Sequence, residues 1–94
     1  MKNLPEISTY GDYDSDNYGA HSLMVRFNSF TLYYSYHTIV AYRDGVDGLV
    51  VCKNMWGTTT GKHLNWICDD KKTRLDCKEF QHKLEDMLSR NVKE

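Results

Sequence analysis

No apolar run in this chain approaches the roughly 20 residues that a membrane-crossing helix requires, so a spanning segment is excluded at the level of sequence. The opening MKNLPEISTYGDYDSDNYGA has no apolar stretch that could act as a signal peptide. Cysteine is scarce: Cys52, Cys68 and Cys77 are odd in number and widely spaced. That argues against a disulfide framework and for a reducing cytoplasmic setting; one pairing, Cys68 with Cys77, is left open. A basic excess is also missing. The formal net charge is -1, whereas a phosphate-tracking surface usually carries a clear surplus of lysine and arginine. With 94 residues the chain can build one modest core, hence one domain.

The charge is unevenly spread. Residues 1 to 22 hold Lys2 against Glu6, Asp12, Asp14 and Asp16, a balance of -3, and the rest of the chain balances at +2. Residues 1–21 therefore read as an irregular acidic arm, broken by Gly11, Asn17 and Gly19 and interleaved with Tyr10, Tyr13 and Tyr18. Tyrosine combines a large apolar face with a polar tip, which suits docking on the chain's own sheet or on a partner. Asp12, Asp14 and Asp16 are spaced like calcium ligands, but Asn17 stands where the loop glycine belongs and Leu23 where the bidentate glutamate belongs. Calcium is not expected.

Residues 22–94 read as a single α+β domain. Leu23, Val25 and Phe27 alternate with Met24 and Arg26, and Phe30, Leu32, Tyr34 and Tyr36 alternate with Thr31, Tyr33 and Ser35. Asn28-Ser29 between them is a tight-turn candidate. The segment TIVAYR (38–43) is β-branched and aromatic, Asp44 to Gly48 is a turn, and LVVCK (49–53) returns. The pattern predicts a four-stranded antiparallel β-meander. Near the C-terminus, Asp76 and Glu79 form a capping-box pattern. Cys77, Phe80, Leu84, Met87 and Leu88 then recur at helical spacing, with Glu79–Lys83 and Asp86–Arg90 as pairs four apart. One C-terminal helix laid on one sheet face gives a two-layer domain.

The remaining stretch, WGTTTGKHLNWI (56–67), is the least ordinary. A phosphate-binding P-loop needs four residues between its glycines and a serine or threonine after the lysine. Here there are three, and His63 follows Lys62. Nucleotide hydrolysis is rejected. The plainer expectation is a short helix or turn with a threonine cap, burying Leu64 and Ile67. Lys62 and His63 would then lie in a first turn that disfavours cations by about 1 kcal/mol or less, which an anion or acidic partner would offset. Thr58, Thr59, Thr60, Lys62, His63 and Asn65 thus form a candidate donor-rich contact patch, with His63 pH-sensitive.

Catalysis and metals fare worse. His63 and Cys68 lack an orienting residue or an oxyanion motif, and the four histidines and three cysteines lack metal-ligand spacing. The expectation is a protein that is not an enzyme, without metal or cofactor.

The runs FTLYYSYHTIVAYR, GLVVCKNMWGTTTGKHLNWI and the terminal helix with KLEDML resemble a family of small uncharacterised proteins found mostly in bacteriophage genomes. The resemblance spans roughly residues 25 to 90 and is most specific at TTTGKHLN. It implies a phage-encoded accessory protein that binds a host protein, such as a CRISPR or restriction nuclease, in the host cytoplasm and inhibits a defence system, as an anti-CRISPR does. The acidic arm then offers a second contact surface: Tyr10, Asp12, Tyr13, Asp14, Asp16 and Tyr18. The alternative is a nucleic-acid-binding accessory protein, with Arg26, Arg43, Lys53, Lys62 and His63 on phosphate and tyrosines stacking bases.

Overall fold

A computed structural model describes residues 5–11 and 21–91 of the chain. Five strands run β1 (Glu6–Thr9), β2 (Ser22–Arg26), β3 (Phe30–Ser35), β4 (Thr38–Asp44) and β5 (Gly48–Val51). Among the described residues two helices follow, α1 (Thr58–Ile67) and α2 (Cys77–Asn91), with a 3-10 turn at Lys71–Thr73 between them. The strands pair in chain order, each antiparallel to the next. The meander is therefore present, with one strand more than the sequence pattern predicts. The extra strand is β1, four residues within the segment expected to be irregular. All four of its residues are exposed, so it carries no periodic burial signal, and pairing with β2 alone makes it a strand.

The turns are where the residues place them. The Phe27 N–H donates to the Phe30 carbonyl at 2.8 Å across Asn28-Ser29. The Asp44 carboxylate accepts from the Val46 and Asp47 backbone N–H groups at 3.1 and 2.7 Å. Gly48 closes that loop at φ +71, a region open to glycine at little cost.

Strand register divides the core. Phe30, Leu32, Tyr42, Val50 and Cys52 meet Phe80, Leu84 and Met87 of α2. Their strand neighbours Ala41 and Val51 point the opposite way and meet Leu64 of α1, together with Val40. Val40 is the extra residue of a bulge: pairing steps from Tyr33↔Ala41 to Tyr34↔Ile39 and leaves it unpaired in register. The two-layer expectation is thus corrected to three layers, because α1 covers the face that α2 leaves open.

α2 occupies the expected span. The Asp76 carboxylate accepts from the Glu79 backbone N–H at 2.9 Å, capping the first turn. Of the predicted stripe, Phe80, Leu84 and Met87 are buried and Leu88 packs at the margin, but Cys77 is exposed. Asp86 and Arg90 pair at 2.8 Å as predicted. Lys83 does not turn to Glu79; it reaches Asp47 at 3.9 Å, joining a cluster that ties α2 to the β4–β5 turn. There Arg90 contacts Asp44 at 3.1 Å and Asp47 at 3.0 Å. Tyr42 donates its hydroxyl to Asp47 at 2.6 Å.

Candidate functional site

α1 begins directly at Thr58, with Gly57 as the residue before it in extended conformation and no side-chain cap. The expected threonine cap is therefore corrected. Thr60 instead uses its hydroxyl in the interior. Helical spacing explains this: Thr60, His63, Leu64 and Ile67 fall on one face, and that face meets the sheet. Leu64 is fully buried and Ile67 half-buried.

The polar groups on this face close on β3. Ser35 Oγ lies 2.8 Å from Thr60 Oγ1 and 2.7 Å from His63 Nδ1. All three residues are buried, His63 completely. The imidazole is ringed by aromatics, with Tyr10 at 6.0 Å and Tyr36 at 6.3 Å between ring centroids. This moves His63 from the exposed contact patch to the interior: the helical period turns it inward, where it locks α1 to the end of β3. Sequence reasoning passed over Ser35, the hub of that lock. The inward period 60, 63, 64, 67 was the signal for His63, but nothing local pairs it with a serine 28 positions away. Ser35→Ala is expected to lower unfolding free energy by about 1–3 kcal/mol, because Thr60 and His63 would each lose a buried partner. Chemical denaturation reads this directly, and a variant as stable as the parent would show the lock to be idle.

The other predicted contacts divide between two places. Thr59 lines an open cleft of about 330 Å³ with Ser35, Tyr36, Thr38, Trp56, Gly57 and Thr60. Asn65 is on a different side of the helix and accepts from Arg74 Nη2 at 2.9 Å. Lys62 is exposed between them. The patch is therefore dispersed over three sides of α1. In the cleft, Tyr36 stands in the left-handed backbone region at φ 57, which costs a non-glycine residue about 1 kcal/mol or more. Its ring stacks on His21 at 4.3 Å and its N–H donates to the His21 carbonyl at 2.8 Å, which hold it there.

Tyr10 is corrected as a partner contact. Only 3% of it is exposed. Its hydroxyl donates to the Tyr34 carbonyl at 2.9 Å, and its ring stands edge-on to Tyr33 and tilts against Trp66. Ser22 Oγ donates to its carbonyl at 2.7 Å. Tyr10 is thus a peg that fastens the first strand to the sheet. Asp12, Tyr13, Asp14, Asp16 and Tyr18 lie outside the described residues.

Of the proposed phosphate contacts, two share one face of the sheet. Arg26 and Arg43 flank Thr31 across three strands, and Arg26 faces Glu6 at 3.9 Å. Lys53 sits beyond β5, and His63 is sealed. The three cysteines are free, so Cys68 and Cys77 are not bridged; Cys68 neighbours Thr73 instead. Burial pushes the Cys52 thiol up to about 11, with the adjacent Cys77 and Asp76 adding to the shift. Among the described residues, no three histidine, cysteine or carboxylate side chains gather where a metal could sit. No helix among them is long and apolar enough to cross a membrane.

A meander covered by one helix on each face, with a Ser–Thr–His lock under the first helix, defines a small α+β domain. The chain belongs to a family of unknown function, DUF8033, which matches residues 6–83. The match opens on β1 and includes Tyr10, so the first strand is part of the family domain rather than an appendage. No curated protein and no solved structure matches the chain.

Proposed function

We propose that this protein is a non-enzymatic binding protein, phage-encoded, that inhibits a host defence system by occupying a host protein, as an anti-CRISPR occupies its nuclease. The observation that carries the binding reading is the cleft at the start of α1. Tyr36 and Trp56 line it, and both are exposed although large and aromatic. Aromatic side chains of this kind dominate the energetics of protein interfaces. Tyr36 is also kept where glycine would be relaxed, which fits a side chain retained for contact. The phage setting and the defence target rest on the resemblance described above.

The nucleic-acid alternative is weaker. Of its five cationic or ionisable residues, His63 is completely buried, and Tyr10, one of the tyrosines that would stack bases, is packed inside. A gel shift at low salt that retards generic single strands or duplexes would favour it nonetheless.

The test uses the whole chain and a Trp56→Ala variant. The wild type is expected to retain a host protein at a fixed ratio and to slow cleavage by the corresponding nuclease in a reconstituted reaction. Trp56→Ala should weaken binding by about tenfold or more. It should leave stability within about 0.5 kcal/mol, as exposed substitutions usually do. Retention of no host protein, or equal inhibition by wild type and variant, would remove this reading.

A further inference from the structure

On the side of α1 that carries Gly61 and Asn65, a second cavity of about 280 Å³ is lined by Lys53, Asn54, Gly61, Asn65, Lys71 and Arg74. Three of the six are cations and none is a carboxylate. The fold fixes this grouping. Cys52 and Leu75 form a parallel bridge, with Leu75 N–H donating to Val51 and Lys53 N–H donating to Leu75 at 2.8 and 2.7 Å. Lys53 and Arg74 are therefore the residues on either side of one short backbone pairing. Asn54 is held by its own bonds to Trp56 N–H and the Gly57 carbonyl. Gly61 keeps the wall open: a Cβ there would stand 3.0 Å from the Asn54 amide nitrogen.

Arg74 is the unusual member. The residue is only 6% exposed, yet it has no carboxylate partner among the described residues. Nη2 donates to two neutral acceptors, Asn65 Oδ1 and the Cys68 carbonyl, each at 2.9 Å. Nε is buried with no partner among the described residues. A guanidinium taken out of water without a counter-charge is costly, and its planar fork matches the geometry of phosphate oxygens. Two further cationic residues, Lys53 and Lys71, line the same cavity. Its volume suits a small group rather than an extended chain.

We propose that this pocket is an anion site for a terminal phosphate, free or as a phosphomonoester. Arg74 is its positioned charge, and Lys53 and Lys71 complete the neutralisation. The inference is independent of the cleft at Tyr36 and Trp56, which lies outside the pocket lining. A monoester dianion matches three cations better than the single charge of an internal phosphodiester does.

The experiment titrates the full chain with inorganic phosphate, adenosine monophosphate and an oligonucleotide lacking a terminal phosphate. Binding is followed by amide chemical shifts, and ionic strength is matched with chloride. Phosphate and the monophosphate should move the amides of Lys53, Gly61, Asn65 and Lys71 at millimolar concentration, and the oligonucleotide should not. The Lys53→Gln, Lys71→Gln double variant changes exposed residues only and should lose about tenfold or more in affinity. Arg74→Lys keeps the charge without the fork and should also lose affinity, whereas Trp56→Ala should bind phosphate as the wild type does. Absence of shifts with phosphate, equal binding by the double variant, or tighter binding of the oligonucleotide than of the monophosphate would each overturn the assignment.

Discussion

Asp44→Ala is expected to destabilise the fold by about 3 kcal/mol, the lower end of the range for removing one partner of a buried ion pair. The Asp44 side chain is almost wholly buried and serves four donors: the Val46 and Asp47 backbone N–H groups, Arg90 and Asn91. Alanine would leave the β4–β5 turn and the end of α2 without their common acceptor. The loss stays at the lower end because Arg90 keeps Asp47 and Asp86. The same cluster sets a pH dependence. Burial opposes ionisation of Asp44, but the Asp47 N–H, Arg90, Asn91 and the Val46 N–H outweigh it and hold its carboxyl below the usual range. Asp47 is held low first by the Tyr42 hydroxyl, against the effect of burial, with Arg90 and Lys83 adding to it. Carboxyls with depressed folded pKa values stabilise the fold above their unfolded value of about 3.9 and lose that contribution as pH falls through the folded value. Equilibrium unfolding across pH should therefore show wild type and Asp44→Ala far apart near neutrality and converging below about pH 4. A gap that stays constant to pH 2 would refute the role given to the carboxylate.

Leu84→Ala is expected to cost about 2–5 kcal/mol, lowering Tm by roughly 4–8 °C for each kcal/mol in a domain of this size. Leu84 is 6% exposed and sits between Phe80 and Met87 in the cluster that joins α2 to Leu32, Tyr42 and Val50. Truncation removes buried methyl groups and leaves a cavity that two flanking turns of helix cannot close by themselves. Leu88, at the edge of the same cluster, supplies the comparison: Leu88→Ala should cost less, because solvent already reaches it. Thermal melts of the two variants test the arrangement. An unchanged melting temperature for Leu84→Ala would mean that α2 is not seated on the sheet through this face.

The two proposed contact regions make separable demands on the same helix. Trp56 and Thr59 address the cleft near Tyr36, while Gly61 and Asn65 address the basic pocket. Thr60 also lines that cleft, and through Ser35 it and His63 hold the helix in place for both. Thr59 faces the cleft, whereas Thr60 both lines the cleft and bonds Ser35 in the interior, so the two do not share a single role.

Strands β2 and β3 and helix α2 were legible from the residues because each repeats its apolar side chains at the period of its own backbone. Phe30, Leu32 and Tyr34 do so at two, and Phe80, Leu84 and Met87 at three and four. Strands β4 and β5 were legible through their β-branched and aromatic content. The turn at Asp44 to Gly48 was legible for a related reason, since its carboxylate and glycine act on their own neighbours. Strand β1 was not, because Glu6–Thr9 buries nothing and becomes a strand only through hydrogen bonds to β2. Nor was the fate of the ionisable residues. His63 and Arg74 look alike on paper, each a basic residue in a polar stretch, and burial distinguishes both from their exposed neighbours. What surrounds a buried side chain is set by residues far away in the chain: Ser35 lies 28 positions from His63, and Lys53 lies 21 positions from Arg74. Local periodicity carries which face turns inward; only the assembled fold determines which polar groups meet there, and which cation is left without a counter-charge.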